Sequence, residues 1–202
     1  MKKIIYVIVA LTSISSNCYS QTAVEYFYRG TNKYNLEDYR GAIADYNKAI
    51  EIDPEITKAY LNRGGAKSKL GDYRGAMTDY NKAIEIDPKF TNAYYSRGVI
   101  KNRLGDNRGA IADYNKAIEI DPEIIEAYLN RGIAKSELGD NRGAIADFNK
   151  AIEFDPKYAK AYHNRGLAKI LINKIDSGCL DLSKAGELGH AKAYEAIREY
   201  CN

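Results

Sequence analysis

The chain has no tryptophan, and its 202 residues include only four prolines, three cysteines and two histidines. So few cysteines exclude a disulfide scaffold of this length. Sparse proline together with 45% hydrophobic residues excludes collagen-like and strongly disordered chains. A surplus of one charge is also missing. Thirty Lys and Arg against 27 Asp and Glu leave +3, without the basic excess that marks many nucleic-acid binders. The two histidines, His163 and His190, have no motif around them. There is no metal-spaced Cys/His cluster, no glycine-rich phosphate loop after a strand and no nucleophile elbow. Neither an enzyme nor a cofactor or metal is expected.

Only one apolar run stands out, and it opens the chain. Met1-Lys2-Lys3 is a positive start, Ile4 to Leu11 is unbroken and apolar, and Thr12 to Ser20 is small and polar. That is the layout of a secretory signal peptide over residues 1–20, with a run too short to cross a bilayer as a helix. Cleavage after Ser20 removes two lysines and no acid, which lowers the net charge to +1, and it leaves two cysteines. The mature protein is expected to be periplasmic or secreted, with no membrane insertion and no nucleic-acid partner. Lipid anchoring through Cys18 is the alternative, although Ser15-Ser16-Asn17 fits the preceding pattern poorly.

What the chain has in abundance is itself. Pro54, Pro88, Pro122 and Pro156 are spaced 34 residues apart, each follows an aspartate, and each closes a block such as GAIADYNKAIEIDP. Upstream lie AYLNRGGAKSKLGD from Ala59, AYYSRGVIKNRLGD from Ala93 and AYLNRGIAKSELGD from Ala127. Each repeat reads as two helices. In the second, Ala144, Ile145, Phe148, Ala151 and Ile152 form an apolar stripe that Asp140 caps and Pro156 terminates. One helix pair cannot bury such a stripe alone, so the repeats must stack.

These blocks resemble the tetratricopeptide repeat (TPR) family. Repeats run over 23–56, 57–90, 91–124 and 125–158. The family's signature positions fall on Tyr60, Gly64, Ala76, Tyr80, Ala83 and Pro88 in the second. The resemblance implies an all-α, right-handed solenoid of helical hairpins. A fifth repeat begins at Ala159 and drifts: Gly178 replaces the usual alanine and His190 the proline. The stretch to Cys201 reads as a capping helix, and KAGELGHAKAYEAI resembles Sel1-type repeats. Residues 159–202 thus form a degenerate fifth repeat plus cap.

In the family, the first helices of successive repeats line a concave groove that holds peptide segments of partners. Carried onto this chain, that groove takes Phe27, Asn62, Tyr95, Val99, Leu129, Asn130, Ile133, His163, Asn164 and Leu167. Asparagine amides offer a donor and an acceptor to an extended backbone. The alternative is that some of these side chains pack between repeats. The carboxylate clamp of chaperone-binding members is incomplete. Asn62 or Asn130 and Lys58 or Lys160 are present, but position 5 has no lysine, position 9 no asparagine and position 6 no basic residue.

Two further patterns are legible. Position 7 is arginine in all five repeats (Arg29, Arg63, Arg97, Arg131, Arg165), and position 23 is aspartate (Asp45, Asp79, Asp113, Asp147, Asp181). They are expected to pair as a partly buried ladder that sets stacking register; the alternative is two independently solvated faces. Cys179 and Cys201 fall near the ends of two helices that pack antiparallel around the Gly189 turn, which suggests a disulfide, or else two buried thiols. The function expected is an exported adaptor binding a protein or peptide partner. The alternative is a self-associating, homo-oligomeric component of an envelope complex.

Overall fold

A computed structural model describes residues 22–201; the expected leader over 1–20, with Cys18, lies outside them. The described residues form eleven helices and no strand. They divide into two compact units. The first holds α1 (22–35), α2 (Tyr39–Ile52), α3 (Thr57–Lys69), α4 (Tyr73–Ile86) and the first turn of α5 (Thr91–Arg103). The second begins at Tyr94 in α5 and continues through α6 (Asn107–Ile120), α7 (Ile125–Glu137), α8 (Asn141–Phe154), α9 (Ala159–Leu171), α10 (Ile175–Glu187) and α11 (Lys192–Tyr200). α3 packs between α2 and α4; α7 and α9 each pack between their chain neighbours in the same way.

The boundaries follow from a few residues per repeat. The carboxylates of Asp38, Asp72, Asp106 and Asp140 accept the amide of the glycine three residues on, each at 2.9 Å, and so cap α2, α4, α6 and α8. The same helices end at Asp53, Asp87, Asp121 and Asp155, whose extended backbone leads into proline. α3 closes on Gly71, whose φ of +84° lets Asp72 N–H reach the carbonyl of Lys67 at 2.9 Å. Non-glycine residues take this left-handed place in two repeats, Glu37 (φ +61°) and Asn173 (φ +66°).

The two helices of a repeat meet at a glycine and a ring. A Cβ on Gly64 would lie 2.6 Å from Cε1 of Tyr80, and one on Gly132 would lie 2.5 Å from Cε1 of Phe148. Tyr46, Tyr114 and Phe148 are buried in this seam among alanines that are wholly inaccessible. Burying each ring is worth roughly 2–3 kcal/mol. In the fifth repeat Leu182 takes the place of the ring and the backbones close further. Cβ atoms on Gly166 and Gly178 would lie 2.9 and 2.8 Å from the carbonyl oxygen of the opposite glycine. Gly178 is therefore a close-contact residue of a tighter α9–α10 seam rather than a sign of sequence decay.

The first repeat carries a solvent-facing variant of the same helix. Glu25 is exposed where Ala59, Ala127 and Ala161 are fully buried in later repeats. Among the described residues no helix precedes α1 to cover that position, and a charged side chain suits the exposure.

Candidate functional site

The arginine–aspartate pairs form within each repeat. Arg63 Nε and Nη2 donate to Asp79 at 3.0 and 2.6 Å; Arg97 grips Asp113 at 2.9 and 2.6 Å, and Arg165 grips Asp181 at 2.7 and 2.6 Å. Arg29 with Asp45 and Arg131 with Asp147 do the same. Each aspartate takes a second cation four residues beyond the arginine, from Lys33, Lys67, Lys101, Lys135 or Lys169, at 2.7–2.9 Å. The arginine also lies over the tyrosine three residues before it, as Arg63 does over Tyr60 at 5.3 Å.

The link between repeats runs through asparagine. Nη1 of Arg63, Arg131 and Arg165 donates to Oδ1 of Asn47, Asn115 and Asn149 in the preceding helix, each at 2.7 Å. One guanidinium thus ties its own helix pair and the pair before it. These three arginine side chains are 16% exposed, against 57% for Arg29 in the first described helix. Hydrogen bonding from Arg29 holds the Asp45 carboxyl below the ordinary carboxylate range. The lysines of the ladder recur every 34 residues as regularly as the arginines, and the asparagine recurs in the first four repeats (Asn47, Asn81, Asn115, Asn149). That periodicity was the available signal for them.

The residues expected in the groove divide between open surface and packing. Leu129 is 6% exposed and sits in a core cluster with Phe148 and Ala161, so it lines no open surface. Its neighbour Ile133 packs half-buried on that cluster, and Val99 does so on the one around Tyr114. Asn130 Nδ2 donates to the Tyr95 hydroxyl at 3.0 Å, and Asn164 Nδ2 donates to the Lys160 carbonyl of its own helix at 2.8 Å. Asn62 acts on the buried Tyr46 hydroxyl. Leu167 is half-buried. His163 meets His190 with ring centroids 4.5 Å apart, and its Nδ1 is buried without a hydrogen-bond partner. Burial chiefly, then His190 and Lys192, pushes His163 below the ordinary histidine value.

Among the expected groove residues, Phe27 opens onto a cavity. In the first unit a cleft of about 400 Å³ is lined by Val24, Phe27 and Tyr28 of α1, Thr57 and Lys58 of α3, and Asp53, Ile56, Asp87 and Phe90 from the connecting segments. Val24 and Tyr28 are 42% and 62% exposed. The walls are largely apolar, and the acids come from the turns that end α2 and α4. Phe27 is expected in the groove of first helices, whereas the Ile56 and Phe90 wall carries no such signal, because those residues belong to the connections and not to a helical stripe.

The family model described as TPR repeat matches the chain four times, over residues 30–71, 65–105, 100–139 and 134–170. The chain belongs to the TPR repeat family. No curated protein matches it. Among solved TPR-like folds, a crystal structure of MamA protein superposes with a TM-score of 0.75 at 26% identity, covering 86% of this chain and 95% of that one. The first TPR of Spaghetti (RPAP3), bound to the HSP90 peptide SRMEEVD, gives a TM-score of 0.58 at 28% identity and covers 59% and 95%. YrrB, a TPR protein with an unusual peptide-binding site, gives 0.75 over 93% and 97%, and at 23% identity it attests the TPR fold alone.

The cap of this TPR chain is closed covalently. Cys179 of α10 and Cys201 after α11 form a disulfide with Cα atoms 5.8 Å apart. Among the described residues no three metal-ligating side chains converge, and no helix is long and apolar enough to cross a membrane.

Proposed function

We propose that this TPR protein is an exported adaptor that holds an extended segment of a partner protein in the cleft of its first unit. The cleft carries the reading: a preformed, mostly apolar recess between α1 and α3, with exposed Val24 and Tyr28 at its mouth and polar groups around it. The peptide-bound RPAP3 structure supports the same mode of use on a similar fold. Export is supported by the leader-like residues 1–20 and by the Cys179–Cys201 bond, since structural disulfides persist in oxidising compartments.

The test is a photo-crosslinking amino acid at Tyr28 of the full chain, expressed in cells that are then fractionated. Adducts in the envelope fraction that map to one segment of one partner, and that a Val24→Asp variant abolishes, are the expected result. Adducts confined to the cytoplasm would overturn export, and adducts indifferent to Val24→Asp would overturn the cleft.

A further inference from the structure

We propose that the segment this cleft takes is apolar and cationic: bulky aliphatic or aromatic side chains flanking a lysine or arginine. The inference rests on the reading of the cleft as the partner site and adds the chemistry of what fills it.

The carboxylates that line the cleft differ from the ion-paired acids of the first unit, and share with the helix-capping Asp38 and Asp72 a backbone amide and, among the described residues, no cation. Asp45 and Asp79 each carry two cations, and Glu51 and Glu85 pair with Lys48 and Lys82 on their own helices. Asp53 and Asp87 have no cation within 4 Å among the described residues, and Lys58 beside them has no carboxylate within that distance. Each is nonetheless held in place. Oδ1 of Asp53 accepts Glu55 N–H at 3.0 Å, and Oδ1 of Asp87 accepts Lys89 N–H at 2.9 Å. The charges are fixed by their turns and remain unneutralised, so a partner meets no ordering cost in them.

Two such carboxylates against one amine leave the lining net negative, and Phe27, Ile56 and Phe90 exclude water beside it. A cation brought there by a peptide gains charge-assisted hydrogen bonds at a lowered local dielectric, while its apolar neighbours fill the recess. An acidic segment would leave both aspartates unpaired and opposed by like charge, which selects against it.

Asp53 and Asp87 also have structural twins. Asp121 and Asp155 make the same turn with Glu123 and Lys157 at 3.0 and 2.9 Å, but line no part of this cleft. Asparagine keeps the turn-forming oxygen and removes the charge. The full chain is titrated with two fluorescent probes, Leu-Phe-Lys-Leu-Phe and Leu-Phe-Glu-Leu-Phe, blocked at both ends, and anisotropy is read. The lysine probe is expected to bind at least tenfold tighter than the glutamate probe. That preference should collapse in Asp53→Asn/Asp87→Asn and survive in Asp121→Asn/Asp155→Asn. Salt should weaken the lysine probe more than the glutamate probe. Equal binding of both probes, still lost on Val24→Asp, would overturn the charge inference and leave the cleft standing. Binding of neither probe would overturn both.

Discussion

Arg63 and Asp79 share two hydrogen bonds, 3.0 and 2.6 Å long, across the seam between α3 and α4, and the same guanidinium reaches back 2.7 Å to Asn47 on α2. One side chain therefore ties three helices, and the Asp79 it grips is only 2% exposed. Arg63→Leu leaves the carboxylate buried with Lys67 as its one remaining cation. Removing one partner of a buried pair costs about 3 kcal/mol or somewhat more. Urea denaturation should show a loss of that order for Arg63→Leu. The double variant Arg63→Leu/Asp79→Asn should recover part of it, because no buried charge is then stranded. A single variant that unfolds like wild type would mean that the ladder is a solvated decoration.

The turn between α1 and α2 carries a different kind of strain. Glu37 sits at φ +61° in the place where Gly71, Gly105 and Gly139 adopt about +84°. A side chain in the left-handed region costs about 1 kcal/mol relative to glycine. Glu37→Gly is expected to raise the thermal midpoint, and Gly139→Ala to lower it by a comparable step. Scanning calorimetry of the two variants reads both signs, and a Glu37→Gly protein no more stable than wild type would discount the strain.

Acid should act on the cap through His163. Its folded value lies below the ordinary 6.5, so the neutral ring is favoured in the folded state. As pH falls through 6.5, the unfolded chain takes up the proton first. Stability is lost between there and the folded value, and is unaffected above about pH 7.5. Ring-proton NMR should show His163 titrating below 6.5, and His190→Asn should raise it part of the way. Burial, the larger cause, remains in that variant, so a full return to 6.5 is not expected.

Reduction should loosen α11 selectively. The Cys179–Cys201 bond closes a loop of 22 residues, a span for which a disulfide contributes about 3 kcal/mol. Hydrogen exchange after reduction is expected to speed at α11 amides, while those of α7 and α8 are unchanged. Two titratable thiols in the unreduced, denatured protein would rule the bond out.

Much of this molecule is legible in one dimension. Proline spacing marks where each second helix ends, Asp-x-x-Gly marks where it begins, and the Gly64 and Tyr80 pattern tells which faces meet. Less could be read about which groove residues stay open. Leu129 and Phe27 occupy the same position in their repeats, yet one is core and the other lines a cleft. The stretch around Gly178 reads as degenerate because glycine stands there in place of the usual alanine, and only the opposed backbones of α9 and α10 show why a glycine is required.

The sequence by itself determined the helices, their pairing and the family, since these depend on local capping, backbone restriction and a periodic apolar stripe. Tertiary structure decided which repeated residues became different from their copies. Exposure depends on what neighbouring helices cover, and no repeat carries that information within its own 34 residues. Asp53 and Asp121 have the same chemistry and the same turn, but only packing puts Asp53 beside Phe27, Ile56 and an open cleft.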